Sequence, residues 1–200
     1  MLQKSADRLI CILGSPRRDG NSDTLARRFM LGASESGIES KIIVPSELGI
    51  SWCTGDNQCS KDGRCIIRDG MNEIYELVIN SKWLLIATPV YFMGPPAPLK
   101  AFIDRFQAVW ARARILNSFD PDDPERRESH KAYAIVVASQ SNPKMVKPAL
   151  SIIKAFFNVT GFSYGGELIA TGLESKNDAL RNKDISERAY SLGRNLKSHE

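Results

Sequence analysis

The stretch RLICILGSPRRDGNS, residues 8–22, decides the fold of this chain, because an apolar run passes directly into a polar, glycine-containing turn. Residues 8–14 form a short continuous apolar run, which is typical of a central strand buried on both faces of a parallel sheet. Residues 22–36 then carry apolar side chains at helical spacing, and Gly37 stands where a helix commonly ends. Strand, turn and helix in this order indicate the first unit of an α/β fold.

The same alternation continues along the rest of the chain. Further apolar runs predict strands at 40–45, 83–89, 131–139 and 164–172, and the intervening patterns predict helices at 69–81, 98–115, 145–161 and after Asp184. We expect Asp69 to cap one helix, and Asp184 with Glu187 to form a capping box on the last. The polar, proline-containing segment 120–129 predicts an exposed loop. The alternation predicts a doubly wound, five-stranded parallel sheet covered by helices on both faces, a three-layer α/β/α domain spanning residues 1–200.

Composition and charge exclude several function classes. The chain is 42% hydrophobic and 25% charged, and no apolar run approaches the length of a membrane-spanning helix. The apolar part of the opening MLQKSADRLICILGS is too short for a secretory signal, which predicts a cytoplasmic protein. The net charge of +4 is mild, and its cations are scattered among acids. We therefore expect no membrane segment and no nucleic-acid partner.

The turn GSPRRDGNS, residues 14–22, has the composition of an anion-binding loop. It joins a strand to a helix, so backbone N–H groups and the positive end of the helix converge on it. Ser15, Asn21 and Ser22 add short polar donors, and Arg17 suits a bidentate contact with a phosphate. The loop matches neither the P-loop nor the GxGxxG pattern. An ordinary strand–helix turn remains the alternative.

A second loop, TPVYFMGPPAPLKAFIDR at residues 88–105, has the composition of a ring-binding wall. Tyr91 and Phe92 follow a buried strand and stand beside Gly94 and three prolines, so the loop is stiff and partly aromatic. Such a loop suits a flat heteroaromatic ring, with core packing of the aromatic pair as the alternative. The polar segment 139–145 follows the next strand and is placed to close the far side of the ring.

Together, GSPRRDGNS and CIIRDGMNEIYELVINSKWLLIATPVYFMGPPAPLKAFIDR resemble the NADPH-dependent FMN reductase family, and the resemblance extends over roughly residues 8–197. It implies a flavodoxin-like fold, in which the five parallel strands have the order 2-1-3-4-5. It also implies noncovalently bound FMN, with NAD(P)H as the electron donor. By this resemblance the FMN phosphate is held by Ser15, Arg17, Asn21 and Ser22, with help from Thr24. The isoalloxazine ring is lined by Pro89, Val90, Tyr91, Phe92, Met93 and Gly94, and by the segment beginning at Ser139. That segment departs from the glycine-rich sequence that relatives often carry.

The implied function is an FMN-dependent NAD(P)H oxidoreductase that passes electrons to a small-molecule acceptor. Because a cofactor of this kind carries the difficult chemistry, we expect no side chain to act as an essential acid or base. The alternative is an iron–sulfur flavoprotein or flavodoxin-like carrier that exchanges electrons with a redox protein partner. A non-catalytic module that binds another phosphorylated ligand is the third hypothesis. The resemblance also implies a homodimer or homotetramer.

Three of the four cysteines lie in the irregular segment 46–68, within WCTGDNQCSKDGRC. Spaced cysteines in a cytosolic protein indicate metal or redox chemistry more often than structural disulfides. The iron–sulfur branch of the family carries the pattern Cys-x2-Cys-x2-Cys-x4–7-Cys, which falls here on Cys53, Asp56, Cys59 and Cys65. A 4Fe–4S cluster would then take three thiolates and one carboxylate. A zinc site with the same residues, or free thiols without metal, are the alternatives.

The remaining cysteine and the two histidines indicate no chemistry. Cys11 falls within the first strand and is expected to be a small buried residue. His130 and His199 flank polar segments and are both expected to be solvated.

Overall fold

The computed structural model describes residues 6–199 and the side chains of residues 8–197, so the opening residues 1–5 lie outside it. Five parallel strands form one sheet of order β2-β1-β3-β4-β5, which confirms the predicted topology. The strands are β1 (Ala6–Leu13), β2 (Glu39–Ile43), β3 (Ser81–Pro89), β4 (Lys131–Ala138) and β5 (Ser163–Thr171). Each end lies within two residues of its predicted position.

Helices connect consecutive strands and cover both faces of the sheet. They are α1 (Asn21–Glu35), α2 (Cys59–Asp62), α3 (Ile74–Ile79), α4 (Ala97–Arg105), α5 (Gln107–Arg114), α6 (Pro124–Ser129), α7 (Lys147–Val159), α8 (Asp178–Arg181) and α9 (Lys183–Arg194). This is the α/β/α arrangement expected from the alternating sequence pattern, and the strand order is the flavodoxin-like order that the resemblance implies. In the described part of the chain, no helix is long and apolar enough to cross a membrane.

The core divides into two layers because successive strand residues point to opposite faces of the sheet. On β1, Ile10 and Ile12 pack against the layer that contains α3, α4 and α7. Leu9, Cys11 and Leu13 pack against the layer that contains α1 and α9. Cys11 is completely buried, as expected. Burial on both faces explains why these strands are continuous apolar runs.

One predicted helix, 98–115, is divided into α4 and α5 at Phe106. The hydroxyl of Tyr75 donates to the backbone carbonyl of Arg105 at 3.1 Å, and the Val109 N–H bonds to Phe106 O at 2.9 Å. In a continuous helix the Val109 N–H would bond to Arg105 O. Here it bonds to Phe106 O, and Arg105 O accepts from the Tyr75 hydroxyl instead. The cause is a side chain 30 positions away in the sequence, which periodicity alone does not reveal.

Three further local predictions were wrong: the exposed loop at 120–129, the cap at Asp184 and the solvated His130. The polar segment 120–129 contains α6, which begins at Pro124 after its cap Asp123, whose carboxylate accepts from the Arg126 N–H at 2.7 Å. The last helix is capped by Asn182, which accepts from the Ile185 N–H at 3.1 Å, because α8 ends just before it. Asp184 therefore lies inside α9 and is not its cap.

His130 is buried rather than solvated. Its ring lies against Phe162, with 5.9 Å between centroids, and its Nδ1 is 2.9 Å from the Ser129 hydroxyl. Burial and the nearby Arg126 lower the pKa of His130 to about 4. The residue is therefore a neutral part of the packing at the start of β4. The side chain of His199 is outside the described set.

Candidate cofactor site

The loops that follow β1, β3, β4 and β5 surround an open cavity of about 580 Å³ at one edge of the sheet. Open α/β sheets bind ligands at this edge, beyond the carboxyl ends of the strands. The predicted residues that line this cavity are Ser15, Arg17, Asn21, Ser22, Pro89, Val90, Tyr91 and Ser139. The structure therefore brings the first, second and third predicted loops together around one space.

The N-terminus of α1 faces this cavity without a side-chain cap. Gly20 occupies the cap position in an extended conformation, and no side chain bonds to the first turn there. The first N–H groups of a helix lack intrahelical partners, so this end offers donors and a partial positive charge to an anion. The Ser15 hydroxyl donates to Arg17 O at 2.9 Å and accepts from Arg17 N at 3.1 Å. The loop is thereby held in shape by its own serine.

A close approach between backbone and side chains explains why the loop begins with glycine. A Cβ atom on Gly14 would lie 2.4 Å from Leu99 Cδ2 and 3.0 Å from the Thr88 hydroxyl. Gly14 N donates to Ala87 O at 2.8 Å, so β1 and β3 stay paired up to the start of the loop. Any larger residue at position 14 would force the Leu99 side chain to move and would press on Thr88 at the end of β3.

Two neighbouring arginines of the loop have different surroundings. Arg18 pairs with Asp23 at 3.1 Å and with Glu47 at 3.3 Å. Arg17 is exposed, and its side chain has no hydrogen bond or ion pair to any residue that the structure describes. Arg17 is therefore a cation of this loop that is available to a ligand in the cavity.

Asp23 is completely buried beneath the loop. Its carboxylate accepts from the Asp19 N–H at 3.1 Å and holds Asp19 in a left-handed conformation with φ of +57°. Burial raises the pKa of Asp23, an effect that the Arg18 charge opposes. Asp23 thus supports the loop from below, a role that no pattern in the sequence indicates.

Asn21 joins the loop after β1 to the segment after β5. Its side-chain amide donates to Leu173 O at 3.4 Å and to Ser175 O at 3.0 Å, and its Oδ1 accepts from Ala179 N at 3.0 Å. The side chain is therefore engaged within the protein. Toward a ligand in the cavity, the backbone N–H is the donor that Asn21 retains.

The turn after β3 is strained and strongly exposed. Tyr91 N donates to Gly94 O at 2.8 Å, and Gly94 N donates to Tyr91 O at 2.9 Å. The two residues between them, Phe92 and Met93, have φ of +48° and +66°. Bulky residues rarely adopt positive φ, and such strain costs about 1–3 kcal/mol per residue and is concentrated at functional sites. Phe92 is fully exposed although it is aromatic.

This turn forms one wall of a second cavity of about 590 Å³, which shares Val90, Tyr91 and Ser139 with the first. Phe92 and Met93 line it, together with Gln140 and Met145 from the segment after β4. Two predicted residues line neither cavity: Thr24, within α1, and Gly94, which closes the turn by its bonds to Tyr91.

Several lining residues escaped the sequence analysis. Arg18, Gly20, Val137, Leu173, Glu174 and Lys176 line the first cavity, and Ala138 lines the second. Leu173, Glu174 and Lys176 follow β5. A signal for them existed, because the carboxyl ends of all parallel strands meet at the same edge. The loop after the fifth strand was therefore a candidate on topology alone.

The residues present fit FMN. An uncapped helix N-terminus and an unpaired arginine suit a phosphate. A stiff, partly aromatic turn suits a flat ring, and the first cavity has the volume usual for small-molecule sites, about 300–1,000 Å³. The polar and apolar parts lie next to each other, which matches a ligand with a phosphate at one end and a ring system at the other.

The cysteine segment lines a separate cavity, which shares no lining residue with the two cavities described above. Cys53, Cys59 and Cys65 all line one small cavity of about 20 Å³, together with Arg105. Burial raises the pKa of the Cys59 thiol, and the nearby Cys65 and Cys53 add to the effect. The three thiols are therefore neighbours, as the resemblance to the iron–sulfur branch implies.

The donor set does not fit a 4Fe–4S cluster as it is arranged. The Asp56 carboxylate accepts from the Thr54 hydroxyl at 2.6 Å and from Gln58 N at 2.9 Å, so both of its oxygens serve the loop. Among residues 6–199, no three His, Cys, Asp or Glu side chains are grouped so as to hold a metal ion. A cavity of about 20 Å³ holds about one water. The predicted set of Cys53, Asp56, Cys59 and Cys65 is thus not assembled around a cluster.

Comparison with known proteins defines the family. Residues 8–172 match the NADPH-dependent FMN reductase family, and the chain belongs to that family. The match includes β1 to β5 and both loops that face the first cavity. Family, fold and cavity therefore agree on the kind of protein, a flavodoxin-like member of the FMN reductases.

Individual relatives come from two groups. An iron-sulfur flavoprotein of Archaeoglobus fulgidus is 38% identical over 94 residues, which are 47% of this chain and 43% of that protein. A candidate NAD(P)H-dependent FMN-containing oxidoreductase of Bacillus subtilis is 28% identical over 168 residues, 82% of this chain and 85% of that protein. The chain thus spans about half the length of the first iron-sulfur relatives that it matches. An NAD(P)H:quinone oxidoreductase of Methanothermobacter marburgensis shares the fold, with a TM-score of 0.70, 18% identity, and coverage of 96% of this chain and 97% of that one.

Proposed function

We propose that this chain is an FMN-dependent NAD(P)H oxidoreductase that passes electrons through bound FMN to a small-molecule acceptor. The observation that carries the proposal is the position of the uncapped α1 N-terminus and the unpaired Arg17 beside the strained aromatic turn. The family description supports it, because that description names both the nicotinamide donor and the flavin.

In this proposal the protein holds the two ends of FMN with different loops. Ser15, Arg17, Asn21 and Ser22 hold the phosphate, with Thr24 supporting the first turn of α1. The ring lies against Pro89, Val90, Tyr91, Phe92, Met93 and Gly94, with Ser139 at its edge. When bound, FMN supplies the chemistry of accepting a hydride from NAD(P)H and releasing electrons to an acceptor.

The chain's own contribution is binding, orientation and exclusion of water. Apart from Tyr91, the described residues that line the second cavity have no titratable side chain. The proposal leaves the electron chemistry to FMN and assigns Tyr91 to packing against the ring. The strained turn instead fixes Tyr91 and exposes Phe92, so that an aromatic surface is presented to whatever enters the cavity.

The test is anaerobic addition of NADPH or NADH to the FMN-loaded protein. We expect loss of the visible absorption band of oxidised flavin, followed by its return when a quinone is added. An FMN-loaded protein that neither nicotinamide reduces, but that reduced ferredoxin does, would contradict the proposal. That result would favour the second candidate, an electron carrier with a redox protein partner, which the names of the iron-sulfur relatives suggest.

We further propose that the chain acts as a homodimer or homotetramer. Tyr91, Phe92 and Met93 are exposed on one turn, and an apolar surface of this kind is commonly covered by another subunit. Light scattering after size exclusion tests this, and a strict monomer in the presence of FMN would contradict it. The cytoplasmic location stays a prediction.

A further inference from the structure

The segment between Ser51 and Ile67, here called the cysteine loop, is tied at both ends to one buried ion pair. The Arg105 side chain is completely buried and pairs with Asp69 through two contacts, at 2.6 and 3.0 Å. Its guanidinium also donates to Ser51 O at 2.9 Å and to Ile67 O at 3.3 Å. Asp69 accepts from Ser51 N at 3.0 Å. The two ends of the loop are thus held at a single point.

Within this closed loop the chain reverses direction between two of the cysteines. Helix α2 begins at Cys59 and ends at Asp62. Its C-terminal cap is Gly63, which has φ of +73° and donates its N–H to Cys59 O at 2.8 Å. Arg112 Nε donates to Gly63 O at 2.9 Å and holds the turn against α5. The reversal returns Cys65 to the cavity wall that Cys59 also lines.

Contact with the hydrophobic core distinguishes Cys59 and Cys65 from the third cysteine, Cys53. Cys59 and Cys65 both pack against the hydrophobic core beside α3 and α4, whereas Cys53 does not belong to that layer. All three are only half-buried, so small reagents reach them. Cys59 and Cys65 are therefore the two thiols that the fold holds together from the inside.

Arg105 gives the cavity an electrostatic preference. Its Nε is buried and has no hydrogen-bond partner among the described residues, and the side chain lines the cavity. A buried donor without a partner is costly, so the site suits an atom that bears negative charge. The Cys65 side chain lines the same cavity as this guanidinium, and disulfide exchange proceeds through a thiolate. The carboxylate that would complete a metal site, Asp56, is meanwhile engaged in the loop.

We propose that the cysteine loop is a thiol redox site in which Cys59 and Cys65 form a reversible disulfide. The oxidant is a low-molecular-weight disulfide. The Cys65 thiolate attacks one of its sulfurs, a mixed disulfide forms, and one thiolate leaves. Cys59 then loses its proton and attacks the Cys65 sulfur, which releases the second thiolate. The two protons from the cysteines end on the two released thiols, so two protein thiols are oxidised and one disulfide is reduced. The inference does not depend on FMN.

The experiment uses the full chain, purified without oxygen and equilibrated with mixtures of oxidised and reduced glutathione. Free thiols are then alkylated and the protein is digested with trypsin. Cleavage after Lys61 and Arg64 places Cys53 and Cys59 on one peptide and Cys65 on another. We expect a disulfide-linked peptide pair whose yield rises with the share of oxidised glutathione and falls when reductant is added.

Three matched serine variants assign the bond. C53S should keep the linked pair, whereas C59S and C65S should lose it, and circular dichroism confirms that each variant folds. Metal analysis of the same anaerobic wild-type sample should find neither iron nor zinc near one equivalent per chain. Loss of the linked pair in C53S, absence of a linked pair in the wild type at every glutathione ratio, or stoichiometric iron or zinc would overturn the proposal.

Discussion

Replacing Arg17 with alanine tests the phosphate end of the site without disturbing the fold. The Arg17 side chain is exposed and bonds to no described residue, so its removal leaves no buried group without a partner. A charge-assisted hydrogen bond contributes about 1.5–3 kcal/mol, which corresponds to a loss of FMN affinity of about 10- to 150-fold. Because an exposed charge is screened by salt, we expect the lower part of this range at about 0.15 M ionic strength.

The assay is a titration of the apoprotein followed by quenching of flavin fluorescence, performed with FMN and with riboflavin. Riboflavin lacks the phosphate, so its dissociation constant should not change in R17A. Arg68→Ala is the matched control, because Arg68 is also exposed but lies outside the cavity. An unchanged FMN affinity in R17A, or an equal loss for both flavins, would refute the assignment of Arg17 to the phosphate.

Three other substitutions test the supporting structure. Asp69→Asn should lower the free energy of unfolding in urea by about 3–5 kcal/mol, because it leaves the fully buried Arg105 without its counterion. Gly32→Ala should cost about 1–3 kcal/mol or more by the same assay, because the new Cβ would lie 2.1 Å from Tyr190 O between α1 and α9. Asp23→Asn should remove one contribution to the pH dependence of the free energy of unfolding. Burial raises the pKa of Asp23 above its usual 3.8, so wild-type stability relative to this variant should fall as the pH rises through the raised value.

The controls for these substitutions differ. For Asp69 the pH dependence has the opposite sign to that of Asp23. Burial, the largest single effect, would raise the pKa of Asp69, but the hydrogen bonds from Arg105, Ser51 N–H and Met71 N–H together outweigh burial and lower it. The stability that Asp69 contributes should therefore be lost as the pH falls through the lowered pKa. In D69N the free energy of unfolding should change less with pH in the acid range than it does in the wild type. For Gly32, the exposed Ser34 on the same helix is the comparison, and S34A should change stability by no more than about 0.5 kcal/mol. A D23N profile parallel to the wild type would contradict the raised pKa.

Features that depend on local periodicity were predicted from the sequence. The apolar run 8–14 identifies β1 because burial on both faces requires continuous apolar residues, and the alternation of strands and helices indicates a doubly wound parallel sheet. The strand order itself followed from the resemblance to the family. The main cavity was also predictable, since GSPRRDGNS and the turn at 89–94 both follow strands that end at the same edge.

Features that depend on contacts across the fold were not predictable. The division between α4 and α5 depends on Tyr75, whose hydroxyl donates to the backbone carbonyl of Arg105, 30 positions further along the chain. The burial of His130 depends on its packing against Phe162. Asn21 reads as a phosphate donor in the sequence, yet its side chain bonds to the segment after β5. In each case the partner is remote, so pattern and spacing carry no information about it.

The most direct test of the cofactor site is a crystal structure of the chain grown with FMN. The account predicts the phosphate at the N-terminus of α1, in contact with Ser15, Arg17 and the backbone N–H of Ser22, and the ring against the turn at 89–94. A phosphate bound elsewhere, or a ring that does not touch this turn, would contradict it.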